Sequence, residues 1–197
     1  MPRVQLPLGG ELDFRPDWLA PAEADGVLAS ILGEAELTQE SIVLFGREVL
    51  QPRLSLWMGD EPYRYSGKTF APAPWTPAVG SLRRRLEAET GYRFNSVLLN
   101  LYRSGQDSMG FHADDEPELG PRPIIASVSL GAARRFVLRP KAKAAAPLRH
   151  EMTLGHGSLL VMLGDTQRNW VHGIPKTTRA AGQRLNLTFR HVAAAAR

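Results

Sequence analysis

From Gly91 onward the sequence breaks into short runs of β-forming residues at 94–102, 124–130, 135–138, 149–154, 158–163, 169–174 and 184–191, parted by Gly, Pro and Asp. Strands this short cannot bury an apolar side on their own. Repeated at fairly regular spacing, they predict antiparallel sheets stacked as a jelly roll. The remainder of the chain must then be whatever can be laid against that double sheet. With 197 residues, there is room for one domain with a modest extension.

Pro21 suits a first helical position, and Leu28, Ile31 and Leu32 recur at helical spacing before Gly33, which predicts a surface helix over 21–33. Thr76 as N-cap and Pro77 open a second helix with the apolar stripe Val79, Leu82 and Leu86, stopped by Gly91. Arg83, Arg84 and Arg85 on this helix are expected in solvent. Between the helices, a strand-like run ending at Phe45, a turn at Gly46-Arg47 and alternation from Val49 to Met58 predict a hairpin with an aromatic near its tip. Tyr63 and Tyr65 then share one strand face, and residues 1–20 read as an irregular or short-strand lead-in. The expected fold is α+β, mainly β. A double-stranded β-helix over 91–192 carries an extension of helices and hairpins over 1–90, all in one compact domain.

A hydrophobic content of 43% with 22% charged residues is globular, which excludes global disorder. Without cysteine there are neither disulfides nor thiolate metal sites. No apolar run approaches the roughly 20 residues of a membrane-crossing helix, and the start lacks the apolar core of a signal peptide. The expectation is a cytoplasmic monomer with no membrane partner. A net charge of +4 is compatible with a polyanionic partner but does not identify one.

His112 and Asp114, two positions apart, point to the same side of an extended strand and can reach one cation. One more histidine would complete a 2-His-1-carboxylate face, which suits Fe(II) and leaves positions open for substrate and O2. His172 lies at a strand end that Greek-key connections can return to His112. His150 sits at a strand start, His156 in a tight turn between glycines and His191 near the C-terminus. An isolated histidine is more often structural, so His172 needs support from elsewhere in the chain. Alternation over 184–190 sets Arg184, Asn186, Thr188 and Arg190 on one face, with Leu185, Leu187 and Phe189 on the other. If the polar face lies inside, its two arginines need anionic partners, and a dicarboxylate fits such a row. If it lies outside, it is an ordinary solvated face.

The order N-x-Y, H-x-D, H and R-x-N-x-T-F-R resembles the AlkB family of Fe(II)- and 2-oxoglutarate-dependent dioxygenases. The resemblance covers about residues 40–191, including Phe45-Gly46, Pro52-Arg53, Tyr63-x-Tyr65 and Pro74-Trp75. It implies Fe(II) held by His112, Asp114 and His172, with Arg190 beside the metal-bound carboxylate as part of the catalytic set. 2-Oxoglutarate would meet Arg184, Asn100, Tyr102, Asn186 and Thr188. The implied activity is O2-dependent hydroxylation of N-alkylated bases such as N1-methyladenine and N3-methylcytosine, releasing an aldehyde and repairing alkylated DNA. Family members with the same chemistry on RNA or protein side chains supply the alternative.

In this family the flipped base is sandwiched, here by Tyr65 and His112, with Tyr63 nearby and Asp115 and Glu116 at its exocyclic edge. Phe45, Gly46 and Arg47 resemble the intercalating finger of members that act on duplexes. Arg53, Arg64, Arg103, Arg134 and Arg135 are expected phosphate contacts or solvent charges. The sequence departs from the pattern in a shorter 59–65 segment and in a tyrosine where a phenylalanine stacks on the base.

Overall fold

The computed structural model describes residues 3–44, 46–60, 63–65, 68–70, 72–142, 148–179 and 181–193, with the side chains of 43, 44, 63–65 and 68–70 outside that description. The order opens with β1 (Val4–Gln5), β2 (Gly10–Arg15), α1 (Pro21–Glu34), β3 (Ser41–Leu44), β4 (Arg47–Leu50), β5 (Leu54–Gly59), β6 (Tyr63–Tyr65), β7 (Lys68–Phe70) and α2 (Pro77–Thr90). It continues with β8 (Ser96–Tyr102), β9 (Met109–His112), β10 (Ile125–Gly131), β11 (Arg134–Pro140), β12 (His150–Leu154) and β13 (Ser158–Gly164). A one-turn helix α3 (Thr166–Asn169), β14 (Trp170–Ile174) and β15 (Arg184–Arg190) complete it.

A seven-stranded sheet runs β1-β2-β13-β10-β15-β8-β5 and faces a four-stranded sheet β12-β11-β14-β9. The pairings within both sheets are antiparallel. The chain is therefore mainly β, with the jelly-roll arrangement expected from its short strands. Two further two-stranded ribbons, β3-β4 and β6-β7, stand apart from the sheets.

Alternation along the large sheet makes two cores. Val97, Leu99, Val128, Leu159, Leu185, Leu187 and Phe189 pack with Ile31 of α1 and with Val79, Leu82 and Leu86 of α2. The opposite side contributes Leu12, Trp57, Tyr102, Ile125 and Leu160, which meet Phe136, Leu138, Leu154, Trp170 and Ile174 of the small sheet. Thr76 caps α2 through Val79 N, and Gly91 ends it at φ +76°, a backbone conformation that glycine adopts without a Cβ penalty.

The structure corrects several expectations. The hairpin is confined to β3-β4, because β5 pairs with β8 in the large sheet. Of the two readings of the lead-in, the short-strand one holds: β2 pairs with β13 along six residues, and β1 pairs with β2. Strands from before residue 90 thus share the sheet and core of the later ones. Arg83 pairs with Asp60 and lies over the Trp75 ring, while Arg85 pairs with Glu23 and Glu89 and lies over Trp18. Arginine stems that pack on aromatic faces are tethered rather than loose in solvent.

Leu187 is fully buried where β15 meets the helices, and Leu50 on β4 is 61% exposed. Leu187→Ala should therefore lower the unfolding free energy by about 2–5 kcal/mol. Leu50→Ala should change it by less than about 0.5 kcal/mol. Urea denaturation of the two variants measures the contrast.

Candidate functional site

The three central strands of the large sheet bring a polar row between the sheets. Register places Arg184 opposite Tyr102 and Asn186 opposite Asn100 on β8, with Asn186 opposite Ser129 and Thr188 opposite Ser127 on β10. All these side chains are buried. Arg184 Nη2 donates to Ser129 Oγ at 2.8 Å and to Asn186 Oδ1 at 2.7 Å, and Asn186 Nδ2 donates to Thr188 Oγ1 at 2.8 Å. Asn100 Oδ1 accepts from Arg53 Nε at 2.8 Å, which directs the Asn100 amide N–H2 group away from Arg53. The polar face of β15 is thus an interior face.

The small sheet supplies the histidines. His112 ends β9 and is the register partner of His172 on β14, with ring centroids 4.4 Å apart. Asp114 lies beyond the strand, in the loop that follows β9. The shared-strand-face argument for His112 and Asp114 is therefore incorrect, and loop contacts aim the carboxylate instead. Arg190 reaches Asp114 Oδ1 with Nε at 3.1 Å and Nη2 at 2.6 Å. Gln167 Oε1 accepts from Asp114 N at 2.9 Å. One ligand atom from each of His112, Asp114 and His172 lies within 4.8 Å of the others.

The protonation states suit a metal. Burial alone would raise the Asp114 carboxyl, yet the Arg190 charge and the two imidazoles outweigh it and hold it down at about 2. Burial, reinforced by His112, presses His172 down to about 3. At neutral pH the set is an ionised carboxylate and a neutral imidazole, the forms that bind metal. His112 Nδ1 lies 2.9 Å from the Gly110 carbonyl, so that nitrogen donates and Nε2 is the ring nitrogen available to a metal. Asp114 Oδ2 is buried with no hydrogen-bond partner, and a donor set of two imidazoles and one carboxylate fits Fe(II).

Arg184 shows a second unmet demand. Burial lowers its guanidinium to about 10, and Nε and Nη1 have no hydrogen-bond partner. Its hydrogen-bond partners are neutral, so the pocket has room for an anion's charge. His112, Asp114, His172, Arg184, Asn100 and Tyr102 line one cleft, together with Met109, Phe136, Leu154 and Met162, which give it apolar walls.

Other expected residues fall elsewhere. Asp115 is exposed and pairs with Lys141 Nζ at 2.5 Å, and Glu116 is half-buried. Gly46 turns the β3-β4 hairpin at φ +75°, and Arg47 beside it is exposed. Phe45 and the side chains of Tyr63, Tyr65 and Arg64 lie outside the described residues. Two expected phosphate contacts are interior groups. Arg53 is buried against Asn100 and Gln51, and Arg134 donates to the carbonyls of Ser104, Asp107 and Pro175. Arg103 is tied to Asp107, and Arg135 lies 3.7 Å from Glu151.

Sequence reasoning missed Gln167, Gln51, Ser127 and Ser129. The serines had a signal, since alternation in 124–130 puts them on one side of a strand. Gln167 had none.

The profile of the 2OG-Fe(II) oxygenase superfamily matches residues 11–190. The human alpha-ketoglutarate-dependent dioxygenase alkB homolog 3 is 41% identical over 90% of the chain, which spans 64% of that relative's length. The human DNA oxidative demethylase ALKBH2 is 35% identical, covering 97% of the chain and 83% of the relative. A solved structure of OsALKBH1 superposes with a TM-score of 0.63 at 18% identity, over 91% of this chain and 97% of that one, which shows a shared fold. Together with the His112–Asp114–His172 cluster inside a jelly roll, these matches place the chain in the 2OG-Fe(II) oxygenase superfamily, among the AlkB homologues.

Proposed function

We propose that the chain is an oxidative demethylase that repairs N-alkylated bases in DNA, N1-methyladenine and N3-methylcytosine among them. One observation carries this reading. A buried carboxylate oxygen of Asp114 and two buried donors of Arg184 stand without hydrogen-bond partners in the same cleft. The first calls for a cation and the second for a carboxylate. The printed descriptions of relatives at 35–41% identity, a dioxygenase and a DNA oxidative demethylase, support the reaction class.

In this reading His112, Asp114 and His172 hold Fe(II), and Arg184 takes the distal carboxylate of 2-oxoglutarate. Fe(II), 2-oxoglutarate and O2 together supply the chemistry that hydroxylates the N-alkyl group, after which the base sheds an aldehyde. The protein's own residues set the conditions for it. Arg190 keeps Asp114 ionised and holds its Oδ1, which leaves Oδ2 to the metal. Arg53 turns the Asn100 amide so that its N–H2 group is free for the cosubstrate, with the Tyr102 hydroxyl beside it. Asn186 and Thr188 bond to each other and complete that wall. Apolar Phe136, Leu154 and Met162 line the same cleft and limit water within it.

On the substrate side, His112 and Tyr65 would sandwich the flipped base, with Tyr63 close by. Asp115 and Glu116 would read its exocyclic edge. Because Asp115 is engaged by Lys141, a base amine must compete with that ammonium. Phe45, Gly46 and Arg47 would fill the gap left in a duplex.

Mass spectrometry of methylated oligonucleotides, after incubation with Fe(II), 2-oxoglutarate and air, is the direct test. Wild-type protein should remove the methyl group, and His112→Ala and Asp114→Ala should reduce turnover to background. Activity retained in either variant would sink the metal assignment. Arg184→Met should raise the KM for 2-oxoglutarate by about 10- to 100-fold, the range lost with a hydrogen bond to a charged group. An unchanged KM would remove Arg184 from the cosubstrate site. Phe45→Ala should lower activity on duplex DNA more than on single-stranded DNA. Equal losses on both would end the finger reading, and a panel that adds RNA decides which nucleic acid is preferred.

A further inference from the structure

We propose that Gln167 is a positioning residue that fixes the loop bearing Asp114, and thereby sets the metal affinity of the site. The inference rests on Asp114 being a metal ligand. His112 and His172 are register partners within a sheet, so strand hydrogen bonds fix their relation. Asp114 has no such support, because β9 ends at His112 and the loop follows. Two contacts replace the missing register. Arg190 holds the carboxylate from the large sheet, and Gln167 holds the backbone N–H at 2.9 Å.

The place of Gln167 suits the task. It is 1% exposed and sits on α3, the single turn that leads into β14, which carries His172 five residues further on. Its amide is used at both ends: Oε1 accepts from Asp114 N, and Nε2 lies 3.4 Å from Met162 Sδ. The amide orientation is therefore fixed, with its oxygen toward the loop. Arg190 alone leaves the loop free to pivot about the carboxylate. Gln167 removes that freedom and links the element of one ligand to the lead-in of another. Partners that orient metal ligands typically govern about 10- to 100-fold in metal affinity.

The test measures Mn(II) binding to metal-free protein by calorimetry, with Mn(II) electron paramagnetic resonance as a second readout. Gln167→Met keeps the length of the side chain and removes the acceptor. It should weaken Mn(II) binding by about 10- to 100-fold and broaden the bound-metal spectrum. Thr166→Val is the packing control. It removes the hydroxyl that bonds Leu163 O and Glu11 N on the same turn, touches no part of the site, and should bind Mn(II) as wild type does.

Hydrogen exchange in the metal-free wild-type protein needs no variant to fold. The Asp114 amide should be protected like those of β15. Wild-type Mn(II) affinity in Gln167→Met, an equal loss in Thr166→Val, or loop-like exchange at Asp114 would each overturn the proposal. Failure of the wild-type protein to bind Mn(II) would overturn the metal reading instead.

Discussion

Arg184 and Arg190 are held between two sheets, where a guanidinium without an anion is unfavourable by several kcal/mol. Their position is forced from the other side of the strand. Leu185, Leu187 and Phe189 are needed against α1 and α2, and alternation then sends every second residue inward. A one-residue slip of β15 would drive both charges into the helix-side core, so pairing with β8 and β10 is specified by charge as well as by apolar pattern. Arg190 is matched by Asp114. The hydrogen-bond partners of Arg184 are Ser129 and Asn186, both neutral. The same device that fixes the register therefore leaves one cation that no carboxylate among the described residues pairs with.

That arrangement explains what could be read from the sequence. Period-two alternation survives translation into a sheet, so the two faces of β15, the helices with their apolar stripes and the mainly β class were all legible. Strand membership set by a neighbour was legible only in part, since residues 1–20 read equally as irregular or as short strands. The segment Gly-Glu-Leu-Asp-Phe-Arg at 10–15 carries poor strand formers between its apolar residues, and it becomes β2 because the edge of β13 offers hydrogen bonds. The alternating run through Met58 looked like the return limb of a hairpin, yet β8 claimed it. Arginines were the least legible residues. Arg53 and Arg134 look like surface charge in a basic sequence, but local carbonyls and amides make both of them interior struts.

The metal dyad was legible in identity and misread in geometry. His112 and Asp114 do belong to one cluster, but the strand stops between them. Spacing in a sequence carries geometry only while the secondary structure persists. Beyond the last ladder residue, aim depends on contacts from distant parts of the chain. Those contacts come from Gln167, 53 residues away, and Arg190, 76 residues away. A lone glutamine in Thr-Gln-Arg-Asn gives no hint of such a role.

The site therefore has two halves of unlike stiffness. The wall proposed to meet the cosubstrate is built on β8, β15 and β10, each bonded on both sides within a seven-stranded sheet. Of the described residues proposed to meet the nucleic acid, Arg47, Tyr63 and Tyr65 belong to two-stranded ribbons and Asp115 and Glu116 follow β9, while His112 ends β9 in the four-stranded sheet. A two-stranded ribbon is marginal by itself. Asp114 and Asp115 stand at the seam. Asp114 is pinned by Arg190 and by its own backbone, while Asp115 is held by a single lysine on the surface. An exposed pair of that kind is worth about 0–1 kcal/mol. Asp115 can thus exchange Lys141 for a base amine at little cost, and the exchange leaves the neighbouring Asp114 in place. Under the proposed assignment, adjacent carboxylates would serve metal and substrate independently, because one is anchored to the large sheet through Arg190 and the other only to a surface lysine.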